Sequence, residues 1–151
     1  MHKQRVAILV IAAVGMLSSF INWVEIPMLG GLNGTKLSLK IIPYLNHYIS
    51  IDITAGWLTL LAFAFCAILT FIGNKQKTMK YALISTLPAL AASGLGLAIL
   101  VCYKHAIEST FGGGDNLFSE MFEATFSVGF GLYLIIFLGF AMPVATIITR
   151  K

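Results

Sequence analysis

The sequence predicts an all-α membrane protein: a four-helix transmembrane bundle with a small extracytoplasmic β-hairpin or sheet in its first outer loop. Three observations lead to this fold class. Four long apolar runs contain no charged residue and no histidine, 58% of the residues are hydrophobic while 11% are charged, and basic residues are separated from acidic ones along the chain. Because soluble domains carry about 25% charged residues, this composition excludes an ordinary water-soluble core.

The four apolar runs are the predicted membrane spans, and they cover residues 6–23, 56–73, 81–103 and 127–149. A helix rises about 1.5 Å per residue, so about 20 apolar residues cross a hydrocarbon core about 30 Å thick. Backbone N–H and C=O groups find no water inside a bilayer, which favours helices. We therefore expect a single membrane domain over residues 1–151, because the connectors are too short for a separate soluble domain.

Charge divides the connecting segments into two groups. All six acidic residues and three lysines lie in residues 24–55 and 104–126, whereas seven basic residues and no acidic ones lie at the termini and in residues 74–80. Basic segments near span ends stay in the cytoplasm, so we expect both termini and the inner loop 74–80 inside and the two outer loops outside. The basic residues do not cluster on a face with aromatic neighbours, which argues against nucleic-acid binding.

The first run begins close to the N-terminus and resembles a signal peptide at first sight. It is longer than the apolar region of a signal peptide, which has about 7–15 residues, and no Ala-x-Ala cleavage site follows it. We therefore expect an uncleaved anchor that becomes the first span.

The first outer loop carries the pattern of half-buried strands. Polar and apolar residues alternate over residues 35–41 and again over residues 48–53, which is typical of strands with one face covered. Asn33-Gly34 is typical of a type I′ hairpin turn. We expect an antiparallel sheet that rests on the outer ends of the helices.

Small residues recur four positions apart in three of the four spans. Such spacing lets helix backbones approach closely in lipid. The predicted helix-packing residues are Gly15, Ser19, Ala89, Ala92, Ser93, Gly96, Ser127 and Gly131. The third span has four of these eight residues and is the expected central helix. The same stripes are compatible with packing inside the chain or with a homo-oligomer.

The sequence contains no familiar catalytic motif, and its spans carry no ionisable acid or base. His105 and Glu108 are three residues apart and could offer nitrogen and oxygen ligands on one helix face. That spacing is common in surface loops, so we interpret both as solvated residues and expect no metal site and no cofactor. Cys66 and Cys102 lie at different depths of their spans, which argues against a disulfide.

A Trp…Gly-x-x-Gly…Gly-Trp pattern runs through the first half of the chain. Its parts are Phe20-x-x-Trp23, Gly31-x-x-Gly34 and Gly56-Trp57. The pattern resembles that of a loose group of small, uncharacterised bacterial four-span membrane proteins, which implies a bacterial inner-membrane location and no defined activity. The layout also resembles claudins in architecture only, because this loop lacks their Gly-Leu-Trp and two cysteines.

The expected function is that of a non-enzymatic integral membrane protein that acts through protein–protein contact, as an accessory subunit, scaffold or immunity-type protein. The lipid bilayer and a protein of unknown identity are the expected partners. The predicted partner-binding residues are Tyr44, Tyr48, Glu120 and Glu123 in the outer loops. A small oligomeric channel or transporter subunit is the alternative, and it requires self-association because four spans rarely enclose a pathway.

Overall fold

The computed structural model describes residues 1–26, 30–41, 53–72, 76–79, 81–111 and 127–150. Within these ranges the chain is mostly helical and has a small sheet. The helices are α1 (Lys3–Ser18), α2 (Ala55–Leu69), α3 (Ala82–Ser85), α4 (Leu87–Phe111) and α5 (Phe130–Ile148), and the strands are β1 (Asn22–Ile26), β2 (Gly30–Asn33) and β3 (Ser127–Val128).

The expectation of four membrane-spanning helices is wrong. Among the described residues, two segments are long and apolar enough to cross a membrane, Leu87–His105 in α4 and Phe130–Ile148 in α5. Helices α1 and α2 have 16 and 15 residues, so they extend about 24 Å and about 22 Å. Both lengths fall short of a hydrocarbon core about 30 Å thick.

The apolar runs are longer than the helices because several of their end residues belong to other structures. The first run leaves the helix after Ser18, whose hydroxyl donates to the Gly15 carbonyl (2.6 Å). Trp23, at the end of that run, lies in β1. The third run is divided at Thr86 into α3 and α4. The fourth run begins as β3, before α5 starts.

The sheet has three antiparallel strands in the order β2-β1-β3. Val24 in the middle strand is opposite Leu32 of β2 and Val128 of β3, so the sheet joins parts of the chain that are distant in sequence. The hairpin between β1 and β2 precedes Asn33-Gly34, and the predicted turn there is wrong because Gly34 begins a 3-10 helix.

The two predicted strands of the first loop have different outcomes. Residues 35–41 form two 3-10 turns, Gly34–Lys36 and Leu39–Ile41, and one isolated bridge joins Ser38 to Thr54. The prediction of a strand over these residues is therefore wrong. Most of the other predicted strand, residues 48–53, lies outside the described residues.

Four helices pack side by side as a helical core, defined here as α1, α2, α4 and α5. Helix α1 contacts α2 and α5, and α4 contacts the same two helices from the other side. The sheet lies at the end of this core where α1 ends and α2 and α5 begin, which we name the sheet end. The opposite end contains the first turn of α1 and the last turns of α2 and α5, and we name it the clamp end.

The surface of the helical core is apolar. Of the apolar segments in α4 and α5, 33% and 39% are buried, whereas the core helix of a soluble protein is mostly buried. Large apolar side chains on each long helix are exposed, among them Val10, Phe65, Val101 and Phe137. Soluble monomers rarely expose an apolar surface of this extent. Contact of these sides of the helical core with water is therefore unfavourable.

Candidate functional site

Several predicted packing residues lie where the helices approach each other. A side-chain carbon added to Gly15 of α1 would be 2.6 Å from the ring of Phe63 in α2. The hydroxyl of Ser19, just beyond α1, is 3.0 Å from that of Thr59 in α2, and both side chains are buried. These contacts hold α1 against α2 near the sheet end.

The contact between α4 and α5 uses the small residues of α4. Ala89, Ala92 and Ser93 are buried, and the first and last of them line the space into which a side chain on Gly139 of α5 would project. A side chain on Gly96 would meet Ile136 of α5. The sequence reasoning missed Gly139, although it follows Gly131 by two helical turns.

Trp23 organises the sheet end. Its side chain is fully buried, and its indole N–H donates to the Ser18 carbonyl (2.9 Å). Side chains added to Gly34 or Gly131 would collide with the indole, and one added to Gly56 would collide with the Gly34 backbone. The close packing of these residues explains why the sequence pattern combines a tryptophan with glycines.

The other parts of the sheet end complete this packing. Ser127 of β3 donates to the Glu25 carboxylate (2.7 Å), and the Tyr103 hydroxyl of α4 donates to the Glu25 carbonyl (3.2 Å). Trp57, by contrast, is 53% exposed. The Trp…Gly-x-x-Gly…Gly-Trp pattern therefore contains a packing cluster around the first tryptophan, and its second tryptophan lies on the surface.

Most of the residues predicted to bind a partner or a metal are not among those that the structure describes. Tyr44, Tyr48, Glu120 and Glu123 lie outside the described residues, as does the side chain of Glu108 in α4. His105 is exposed near the end of the apolar segment of α4. Among the described side chains, no three His, Cys, Asp or Glu residues converge as a metal site would require.

The clamp end contains a polar pair that the sequence reasoning did not single out, Gln4 and Arg5, which we name the polar clamp. Both side chains are buried although they lie in the first turn of α1. The Gln4 amide donates to the Thr146 carbonyl of α5 (2.9 Å) and accepts from the Met79 backbone N–H (3.0 Å). Gln4 thereby ties three parts of the chain together.

Arg5 binds the chain that follows α2. Its guanidinium donates to the carbonyls of Thr70, Ile72 (2.8 Å) and Lys77 (3.2 Å). Carbonyls at a helix C-terminus lack partners within the helix and carry partial negative charge, so a cation stabilises them. Arg5, which belongs to α1, thus caps the C-terminal end of α2.

Arg5 of the polar clamp borders a groove of about 620 Å³ between α2 and α3, which we name the clamp groove. Arg5 and Lys77 contribute the cationic groups of its lining, and Phe65, Leu69 and Ile84 contribute apolar walls. The volume is within the range of about 300–1,000 Å³ that is typical of small-molecule sites. A groove with apolar walls and two basic residues in its lining can hold an amphiphile that carries a negative charge.

One sequence signal would have found Gln4, the first residue of the clamp. Gln4, Ile8, Ala12 and Gly15 follow the spacing of a single helix face, and all four are buried. Continuing the face of Gly15 toward the N-terminus therefore leads to Gln4. Arg5 carries no comparable signal, because its partners come from residues 70–77 and meet it only in the folded chain.

No family model, curated protein or solved structure matches the chain.

Proposed function

We propose that the chain is a non-enzymatic membrane protein that acts by contact with another protein at its sheet end. The observation that carries the membrane part is the exposed apolar surface of α4 and α5. Each contains a segment long enough to cross a membrane, and only 33% and 39% of these segments are buried. A bilayer covers such a surface, because lipid solvates apolar side chains without cost.

The charge pattern supports an orientation with both termini in the cytoplasm. Arg5 and Lys77 meet at the clamp end, and Arg150 follows the last turn of α5 there. Glu25 lies at the sheet end, bonded to Ser127. Basic residues remain preferentially on the cytoplasmic side, so the clamp end faces inward and the sheet end outward. The resemblance described above suggests a bacterial inner membrane.

The connectivity of the sheet end supports a role in partner recognition. Residues 42–52 follow the second 3-10 turn and lead back to Thr54, which bridges to Ser38. Residues 112–126 connect α4 to β3. The described residues on both sides of the first segment adjoin the sheet end, which Trp23 anchors, and the second segment is followed directly by β3. Segments that connect elements of a scaffold often carry binding residues.

These two segments contain the residues that we propose for partner binding. They include Tyr44 and Tyr48 in one segment and Glu120 and Glu123 in the other. Tyrosine is enriched at protein interfaces, because a rigid ring gives contact area and the hydroxyl gives a hydrogen bond. The function proposed is that of an accessory subunit, scaffold or immunity-type protein, in keeping with the absence of a familiar catalytic motif in the sequence.

Site-specific photo-crosslinking in living cells tests the proposal. A photoreactive phenylalanine analogue is placed at Tyr44 or Tyr48, and at Lys77 as the control on the clamp end. We expect protein adducts from the two tyrosine positions and none from Lys77. Adducts that form only at Lys77 would contradict the proposal and make the clamp end the working surface.

A further inference from the structure

We infer that the clamp groove is a binding site for an anionic phospholipid, with one acyl chain along its apolar walls and the phosphate at Arg5 and Lys77. This inference rests on the proposed membrane location, and it adds a ligand at the opposite end from the protein partner. Three observations support the inference: the basic residues of the groove, the exposure of its apolar walls and its position at the clamp end.

The charge of Arg5 lacks a carboxylate partner among the described side chains. Arg5 is 3% exposed, and the three hydrogen bonds of its guanidinium end on neutral backbone carbonyls. Glu25 is the single carboxylate whose side chain the structure describes, and it lies at the sheet end. A buried cation is costly unless an anion or strong hydrogen bonds compensate it, and carbonyl dipoles compensate it only in part.

A second cation lies on the same groove. Lys77 also belongs to the lining and is an exposed residue, and its backbone carbonyl accepts a hydrogen bond from Arg5 (3.2 Å). The guanidinium has five N–H donors, so Arg5 can hold its carbonyls and still offer donors to a ligand. Arginine and lysine side by side form a site for the oxygens of a phosphate group.

The apolar walls of the groove open to the surroundings of the helical core. Phe65, Ile72 and Ile84 are 53%, 63% and 61% exposed. In a membrane these side chains contact acyl chains directly, so a lipid enters the groove sideways from the bilayer. A small water-soluble anion would use the cations and leave these walls uncovered, which is why a phospholipid fits better than free phosphate.

The position of the groove fits the same ligand. Among the described residues, the clamp end carries Arg5, Lys77 and Arg150, and in the proposed orientation it faces the cytoplasmic leaflet. Anionic lipids give that leaflet its negative surface potential, and basic pockets between helices on that side bind their headgroups. The ligand class is therefore a phospholipid with net negative charge, such as phosphatidylglycerol.

The test titrates the purified full-length chain in a neutral mild detergent and follows its melting temperature. Phosphatidylglycerol is compared with phosphatidylcholine of the same acyl chains, and inorganic phosphate is a third arm. A ligand that binds only the folded state raises the melting temperature with a saturable concentration dependence. We expect this response for phosphatidylglycerol alone. An equal response to phosphatidylcholine, or a full response to inorganic phosphate, would overturn the inference.

Substitutions locate the site. Lys77→Gln removes one cation and keeps the backbone carbonyl that Arg5 uses, and it should weaken phosphatidylglycerol binding roughly fivefold, the effect of one basic residue near an anionic surface. Lys104→Gln, an exposed lysine at the sheet end, is the matched control and should leave the affinity unchanged. Ile84→Trp should reduce binding by filling the groove. Equal affinity in wild type, Lys77→Gln and Ile84→Trp would contradict the assigned site.

Reconstitution separates this inference from the proposal on which it rests. If the chain enters phosphatidylcholine nanodiscs but binds both lipids equally, the lipid site is wrong and the membrane proposal stands. If the chain instead stays soluble and monomeric without detergent, the membrane proposal fails, and the lipid site fails with it.

Discussion

At the scale of single residues, two side chains determine how the ends of the helical core are held. Trp23 fills the sheet end, where its indole packs against Gly34 and Gly131. Arg5 closes the clamp end by binding carbonyls that follow α2. Both side chains are buried, and each connects parts of the chain that are distant in sequence.

Arg5→Met should destabilise the protein by about 2–3 kcal/mol, because charged hydrogen bonds are lost and their carbonyl acceptors stay buried. Lys3→Met is the matched control, since Lys3 is exposed in the same helical turn, and it should change stability by less than about 0.5 kcal/mol. Unfolding in detergent measures both. Equal losses for the two variants would contradict the clamp as a structural link.

The sequence predicted some of these residue roles and missed others for a physical reason. In the charge pattern of the sequence, Lys3 and Arg5 both indicate a cytoplasmic N-terminus, and nothing distinguishes one from the other. They differ because α1 turns Arg5 toward the chain after α2 and leaves Lys3 exposed. Likewise, nothing in the local sequence reveals that Trp23 is buried, because the glycines that make room for it come from two other segments.

At the scale of elements, helix ends and strands explain why the sequence overestimated the spans. A run such as residues 6–23 is apolar throughout, but hydropathy does not distinguish a helical residue from a buried strand residue. Trp23 and Val24 are buried in β1, and Val128 pairs with Val24. The prediction from the apolar runs therefore extended the helices into residues that belong to the sheet.

Two glycines test the contact between α4 and α5. Gly139→Ala should destabilise the protein by about 1–3 kcal/mol, because the new side chain meets the Ala89 backbone and Ser93. Gly94→Ala in α4 has open space around it and should be neutral or stabilising by up to about 1 kcal/mol, as alanine favours a helix. The melting temperatures of the two variants test this contact, and similar values would contradict close packing at Gly139.

At the scale of the whole molecule, the two ends have different chemistry and the sides are apolar. The polar clamp and its groove lie at one end, and the three-stranded sheet of the described residues lies at the other. The sides expose large apolar residues along every long helix. On this division we base the central proposal, which is that the chain is embedded in a membrane through α4 and α5, with the clamp end in the cytoplasm and the sheet end outside.

Cysteine accessibility in intact cells tests that claim most directly. In a background with Cys66→Ala and Cys102→Ala, Lys77→Cys reports on the clamp end and Lys104→Cys on the sheet end, since both lysines are exposed. A membrane-impermeant maleimide should label Lys104→Cys in intact cells and Lys77→Cys only after the membrane is opened. Labelling of Lys77→Cys but not Lys104→Cys in intact cells would contradict the orientation, and labelling of both or neither would contradict a membrane between the two ends.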